Sequence, residues 1–168
     1  IRFSNAGGAP ASSLAYATIE YAGDSFSLLG AVSTSIGNLS LDRLTLRDCE
    51  YAGFRVGAGS PSITNSTITR CGTGVIVTSG GPSISDTAFV DNSGAAVSAP
   101  ATTQFLGMTG LSATGNGVNG IVLSTAVIGE NRTWRKSAIP YHVAGSISVR
   151  GTEAPVLTIE AGNTIRFA

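Results

Sequence analysis

The segment PSITNSTITRCGTGVIV, residues 61–77, decides the fold because it recurs. Downstream, PSISDTAFVDNSGAAV at 82–97 repeats its order of apolar, hydroxyl and glycine positions. Upstream, LDRLTLRDC at 41–49 followed by GFRV at 53–56 does the same. The leading residues Leu41, Ile63, Ile84 and Leu106 stand 22, 21 and 22 positions apart. An earlier copy opens at Leu14, 27 before Leu41, with its surplus in residues 24–29. The fourth copy carries an extra turn at Asn116, Gly117 and Val118 before ending in GIVL at 120–123. Self-similarity at this period marks a stacked-repeat architecture. Each copy holds short β-branched runs separated by Gly, Ser, Pro, Asn and Asp corners. It lacks the Leu density of a leucine-rich repeat and the Glu, Lys and Gln that would carry that repeat's helices. Three short strands and their corners use about 22 residues, one triangular coil. The expectation is an all-β parallel β-helix solenoid of about seven coils, roughly 35 Å long, with Leu41, Ile63, Ile84 and Leu106 stacked inward.

Composition narrows the function classes. The 168 residues carry 10 basic and 10 acidic side chains and one His, and only 12% are charged while 22 are Gly. Zero net charge removes the electrostatic case for nucleic acid or an anionic membrane. No apolar run reaches the roughly 18 residues that a membrane span needs. One His and two Cys cannot build a zinc cluster, so no metal or cofactor is expected. The chain opens at Ile1 without a signal peptide, which reads as a processed or excised piece.

The organisation expected from the sequence has three parts. Residues 1–129 form β-helix coils that end one unit. Residues 130–140, which carry Glu130, Arg132, Arg135 and Lys136 and are closed by Pro140, form a connector. Residues 141–168 hold the short runs YHV, SISV, VLTI and TIRF and open a following unit. Ile1-Arg2-Phe3 resembles Ile165-Arg166-Phe167, as in a piece of a longer array.

The copies PSITNSTITRCGTGVIV and PSISDTAFVDNSGAAV, with the tail APVLTIEAGNTIRF at 154–167, resemble bacterial secreted proteins with right-handed parallel β-helix repeats of the pectate-lyase-like superfold. The resemblance implies a right-handed solenoid and an extracellular or cell-surface location. It does not choose a function, because the superfold hosts lyases, hydrolases, tailspikes and adhesins.

Each candidate for chemistry has a plainer alternative. Asp48, Arg70 and Asp91 share one repeat position. A lyase would use the carboxylates for calcium and Arg70 as base or clamp. An alternating-sign ladder is the preferred reading, because an Arg between two Asp opposes a cation. The equivalents of Asp42 are Thr64 and Ser85, so no acidic cluster builds there. His142 beside Tyr141 has no acid or nucleophile near it in sequence and reads as a lateral packing residue. Arg132, Trp134, Arg135 and Lys136 could contact a glycan, the aromatic face against a sugar; the plainer reading packs Trp134 back on the solenoid. Thr18, Thr45 and Thr67 align as an ice-binding surface would, but the file ends in Ala88, and the next one (Glu20, Arg47, Thr69, Val90) is charged. Sequons at Asn38, Asn65 and Asn131 matter only in a eukaryotic secretory setting.

Cys49, Cys71 and Asn92 also share a position. The resemblance implies an inward Asn at that corner, bonded to backbone and to its equivalents, with Cys as a small buried substitute. Cα atoms about 4.8 Å apart lie within disulfide reach, so a bond between Cys49 and Cys71 stays open at this point. The function expected is a non-catalytic extracellular module, a stiff, fibre-forming or adhesive segment of a bacterial surface protein. Its coils would stack end to end on itself or on adjacent repeats. The alternative is a polysaccharide-binding or polysaccharide-cleaving domain with its site near Asp24, Asn116 and Trp134.

Overall fold

Every inter-strand ladder in the computed structural model, which describes residues 1–4 and 11–168, is parallel, and among these residues there is no helix. The architecture is the expected β-solenoid. One face is a continuous eight-stranded sheet: Arg2–Phe3, Gly30–Thr34, Ala52–Val56, Thr73–Val77, Ala95–Pro100, Val118–Ser124, Tyr141–Val143 and Ile165–Phe167. A second face stacks Ser12–Ala15, Leu39–Asp42, Ser62–Thr64, Ser83–Ser85 and Gly107–Thr109, and a third stacks Thr18–Glu20, Thr45–Arg47, Thr67–Thr69, Ala88–Val90 and Ser112–Thr114.

Corners between the faces follow from single residues in the left-handed region. Tyr16, Arg43, Asn65, Asp86 and Gly110 turn the chain from the second face to the third, with φ between 47° and 62°. Five residues later Tyr21, Asp48, Arg70, Asp91 and Gly115 turn it again, with φ between 51° and 70°. Each such residue resets the in–out alternation of the strands, so that the next side chain points inward. Leu41 is in, Asp42 is out, Arg43 turns, Leu44 is in, Thr45 is out and Leu46 is in.

The core is built from files that run through the coils. Val32, Phe54, Val75, Val97, Ile121 and Tyr141 are paired strand to strand and fully buried. Leu41, Ile63, Ile84 and Met108 form the file of the second face, and Leu46, Ile68 and Phe89 that of the third. Burying each such side chain contributes about 1.5–3 kcal/mol. Leu106 corrects the expected alignment: it is 51% exposed, and Ile84 pairs with Met108. Its backbone N–H bonds to the Pro82 carbonyl, so Leu106 belongs with Leu39, Pro61 and Pro82, two residues before the inward position.

The glycines that follow the third-face strands Thr45–Arg47 and Thr67–Thr69 have a packing reason. A Cβ at Gly53 would lie 2.3 Å from Ile68 Cγ2, and one at Gly74 2.5 Å from Phe89 Cδ1. In the coil where Ala113 takes the place of Phe89, the corresponding residue is the larger Ala96, which is fully buried. Two walls of the same coil therefore share a fixed volume.

The second and third ladders stop at Gly107–Thr109 and Ser112–Thr114. Beyond them Ala126–Ile128 pairs with Ile147–Val149, and Arg132–Trp134 pairs with Leu157–Ile159. The stretch 130–140 thus contains a strand of the solenoid. The long sheet crosses the break through a register shift in which Ala95 faces Val118 and Val97 faces Ile121. That shift absorbs one extra residue, at Asn119 and Gly120.

Gly53→Ala should cost about 1–3 kcal/mol through overpacking. Combined with Ile68→Ala in urea denaturation, it should cost less than the sum of the two single changes, because the truncation clears the clash. Strict additivity would show that the two walls do not meet as described.

Candidate functional site

The charged file expected along one corner is present, and its members project from the left-handed residues that end the third face. Arg70 forks onto Asp48 with Nε–Oδ1 at 2.7 Å and Nη2–Oδ2 at 2.9 Å. One coil back, Arg47 pairs with Glu20. The guanidinium hydrogen bond is the main reason Asp48 sits below the usual carboxylate range. Asp91, in the same file, makes no ion pair among the described residues. Tyr21, Gly23, Glu50, Cys49 and the Asp48–Arg70 pair line an open groove of about 360 Å³. Asp42, on the second face, is held low by hydrogen bonds from Asn65 and Thr64 and by the charge of Arg43. Its carboxylate is occupied on three sides. Among the described residues no three metal-ligating side chains gather.

Behind the charged corner lies a buried polar file. Asn116 Oδ1 accepts from the backbone N–H of Asn92 at 3.1 Å and from its Nδ2 at 2.8 Å. Asn92 Oδ1 in turn accepts from the N–H of Cys71 at 2.9 Å, and Nδ2 donates to the Ile68 carbonyl at 3.1 Å. Cys71 and Cys49 continue the file as free, buried thiols. Cys49 Sγ donates to the Arg47 carbonyl at 3.3 Å, and Cys71 Sγ to that of Thr69 at 3.5 Å. The neighbouring Cys71 thiol, aided by burial, pushes the Cys49 thiol far above its ordinary range, so it is a poor thiolate source.

In the cluster Arg132 to Lys136, Trp134 packs back on the solenoid, the plainer of the two readings. Trp134 is 4% exposed, stacks on Tyr141 at 5.7 Å between ring centroids, and donates its indole N–H to the Ala101 carbonyl at 3.3 Å. Its ring face is covered, which removes the aromatic platform that the glycan-contact reading needed. Arg132 Nε donates to the Thr102 carbonyl at 2.8 Å, and Arg135 Nε to that of Phe105 at 3.1 Å. These side chains bind the backbone of 101–105 where the second and third ladders have stopped. Tyr141 donates its hydroxyl to the Arg135 carbonyl at 2.8 Å, and burial pushes its pKa up to about 12. A groove of about 380 Å³ remains beside them, lined by Thr78, Gly80, Thr102, Gln104 and Arg132.

His142 lies on the outer side of the long sheet between Val122 and Arg166. Its Nε2 is buried without a hydrogen-bond partner, and burial followed by the Arg166 charge lowers its pKa. A Cβ at Gly120 would stand 2.6 Å from the ring, so it packs laterally on the neighbouring strand.

Sequence reasoning missed two features. Asn116 is the fourth member of the Asn–Cys file, concealed by the extra residues around it. Arg55, on the outer side of the long sheet, keeps a buried Nε without a partner. No protein-family model, curated protein or solved structure matches the chain.

Two outcomes follow for this corner. Both thiols should react slowly with a disulfide reagent in the native state and at once in urea, and fast native labelling of either would break the file. In acid, Asp48 has a folded pKa below its unfolded one, so its contribution is whole above the ordinary carboxylate pKa and fades as pH falls through the lowered value. Arg70→Ala should remove that part of the acid dependence of the urea midpoint; an unaltered profile would show that the pair does not set it.

Proposed function

We propose that the chain is a non-catalytic module, a stiff spacer or adhesive segment of a larger extracellular bacterial surface protein. It would be built on right-handed coils of the pectate-lyase-like kind. The observation that carries this reading is the long sheet: eight parallel strands with in-register inward files, a geometry that converts repeats into length and rigidity. The handedness follows the strong rule for parallel crossovers. The best-formed carboxylate sites, Asp42 and Asp48, are engaged by cross-coil donors, an arrangement suited to bracing neighbouring coils.

Partners in this reading are further coils of the same kind, from an adjacent repeat or a second copy. Phe167 is 79% exposed at one end of the long sheet, with Val156 and Ile159 beside it on the last coil, and Ile1 is exposed at the other end. Arg2 and Arg166 lie in one outward file at opposite ends of that sheet, and Phe3 and Phe167 in one inward file. Strand edges of this kind favour pairing with another strand.

The second reading is glycan binding or cleavage in the groove beside Arg132, whose lining is rich in hydroxyl and amide groups. Sedimentation velocity and electron microscopy across a wide concentration range should show rods growing end to end, and Phe167→Asp should shorten them. The same protein should release neither reducing nor unsaturated ends from neutral and acidic polysaccharides. Turnover that Arg132→Gln or Gln104→Ala abolishes would replace the module with an enzyme.

A further inference from the structure

On the outer side of the long sheet Arg2 pairs with Ser33, and Ser33 pairs with Arg55. The two arginines therefore stand on alternate strands, roughly 9.6 Å apart along the stack, with a serine between them. The surplus residues of the first repeat rise beside this triad. Asp24 and Leu29 bridge each other through both backbone hydrogen bonds, and the loop between them carries Phe26 out to 96% exposure. Ser27 and Leu28 from that loop, with Ser33, Ser35, Arg2 and Arg55, enclose a recess of about 230 Å³.

Arg43, Arg47, Arg70, Arg132 and Arg135 each hold a carboxylate, whereas Arg2, Arg55, Arg150 and Arg166 hold none among the described residues. Of these four, Arg2 and Arg55 line one recess together. The segment 5–10, NAGGAP, contains no acid that could serve. The carboxylates at the loop, Asp24 and Glu50, are otherwise engaged. Asp24 accepts from the Phe26 N–H at 2.8 Å, and Glu50 accepts from the Ser25 hydroxyl. Arg55 Nε is buried without a hydrogen-bond partner, so its guanidinium is incompletely satisfied. An anion in the recess would give Nε an acceptor that the folded chain does not supply.

Two guanidiniums facing one small hydroxyl-lined recess match a compact oxyanion. Each fork can deliver paired N–H donors to two oxygens, and the summed charge suits a dianion. We propose that this recess binds a single sulfate or phosphate group, either free or carried as an ester. Leu28 forms an apolar edge against which the carrier of an ester would rest.

The test is calorimetric titration at low chloride with three probes: inorganic sulfate, galactose 6-sulfate and uncharged galactose. Sulfate and the sugar sulfate should bind one to one, galactose should not, and added NaCl should weaken both. Arg2→Gln and Arg55→Gln should each reduce affinity about tenfold or more, with Arg55→Lys between wild type and Arg55→Gln. Arg150→Gln, on an exposed arginine elsewhere, should leave binding unchanged. An unaltered urea midpoint for Arg55→Gln separates lost binding from lost fold. Equal affinity for the two anions assigns the site to the free ion, and tighter binding of the sugar sulfate assigns it to an ester. Absence of binding by either anion up to about 10 mM would overturn the proposal. Equal weakening by Arg150→Gln would overturn it as well, since diffuse charge would then explain the binding.

Discussion

The solenoid depends on one backbone constraint, a single left-handed residue placed every fifth position at two successive corners. A strand alternates its side chains, so a bend made of ordinary extended residues would send the next apolar side chain outward. One residue with φ near 50° turns the chain and resets the alternation at once. Both files of such residues obey this rule down the stack, from Tyr16 to Gly110 and from Tyr21 to Gly115. Non-glycine residues held there cost about 1–3 kcal/mol each. Asn65, Asp48, Asp86 and Asp91 tolerate the conformation best, because short polar side chains adopt it more readily. Arg43, Arg70 and Tyr16 lack that advantage, yet they gain from their outward position: Arg70 reaches Asp48, and the Arg43 guanidinium lies 5.0 Å from the Tyr16 ring centroid and donates to its hydroxyl. The corner thus fixes the place of the charged ladder, and the ladder partly offsets the strain of the corner.

The same corner explains the buried polar file. After the left-handed residue the next side chain points in, where backbone amides and carbonyls of neighbouring coils lack ladder partners. Asn92 and Asn116 satisfy several of these groups each, while Cys49 and Cys71 offer one weak donor apiece. A buried amide or carbonyl left unpaired costs about 1–3 kcal/mol. The file therefore runs from strong amide capping near Asn116 to small thiols near Cys49, as the inward space and the donor demand change along the stack.

Much of the fold was legible because a stacked repeat prints its period directly into the chain. Leu41, Ile63 and Ile84, the Thr18–Thr45–Thr67 alignment and the corner file of Cys49, Cys71 and Asn92 all lie in the expected register. The miss at Leu106 has a specific cause. A second period, five residues, links inward positions across a corner: Leu41 with Leu46, Ile63 with Ile68, Ile84 with Phe89. Met108 and Ala113 keep that spacing, while Leu106 pairs with Leu111 in the phase of Leu39 and Leu44. Apolar identity alone favoured Leu106; the five-residue phase favours Met108. The basic cluster was less legible, because nothing local in Arg132 to Arg135 tells that its donors meet carbonyls some 30 residues earlier.

Interruptions of the period are where polar groups escape the ladder, and the two largest end differently. At the second, after Thr114, the broken ladders leave the carbonyls of Ala101, Thr102 and Phe105 unpaired by strands, and Arg132, Trp134 and Arg135 take them up. Donors and acceptors are produced by the same break, so they cancel. At the first, residues 24–29 close on themselves through the Asp24–Leu29 bridge and ask nothing of the sheet beneath. Arg2 and Arg55 keep their charge there because the inserted loop brings no carboxylate to either of them. In a chain whose charges sum to zero, an uncancelled pair on a rigid sheet is a preorganised acceptor of negative charge, since the backbone pays nothing further to hold the two strands in place.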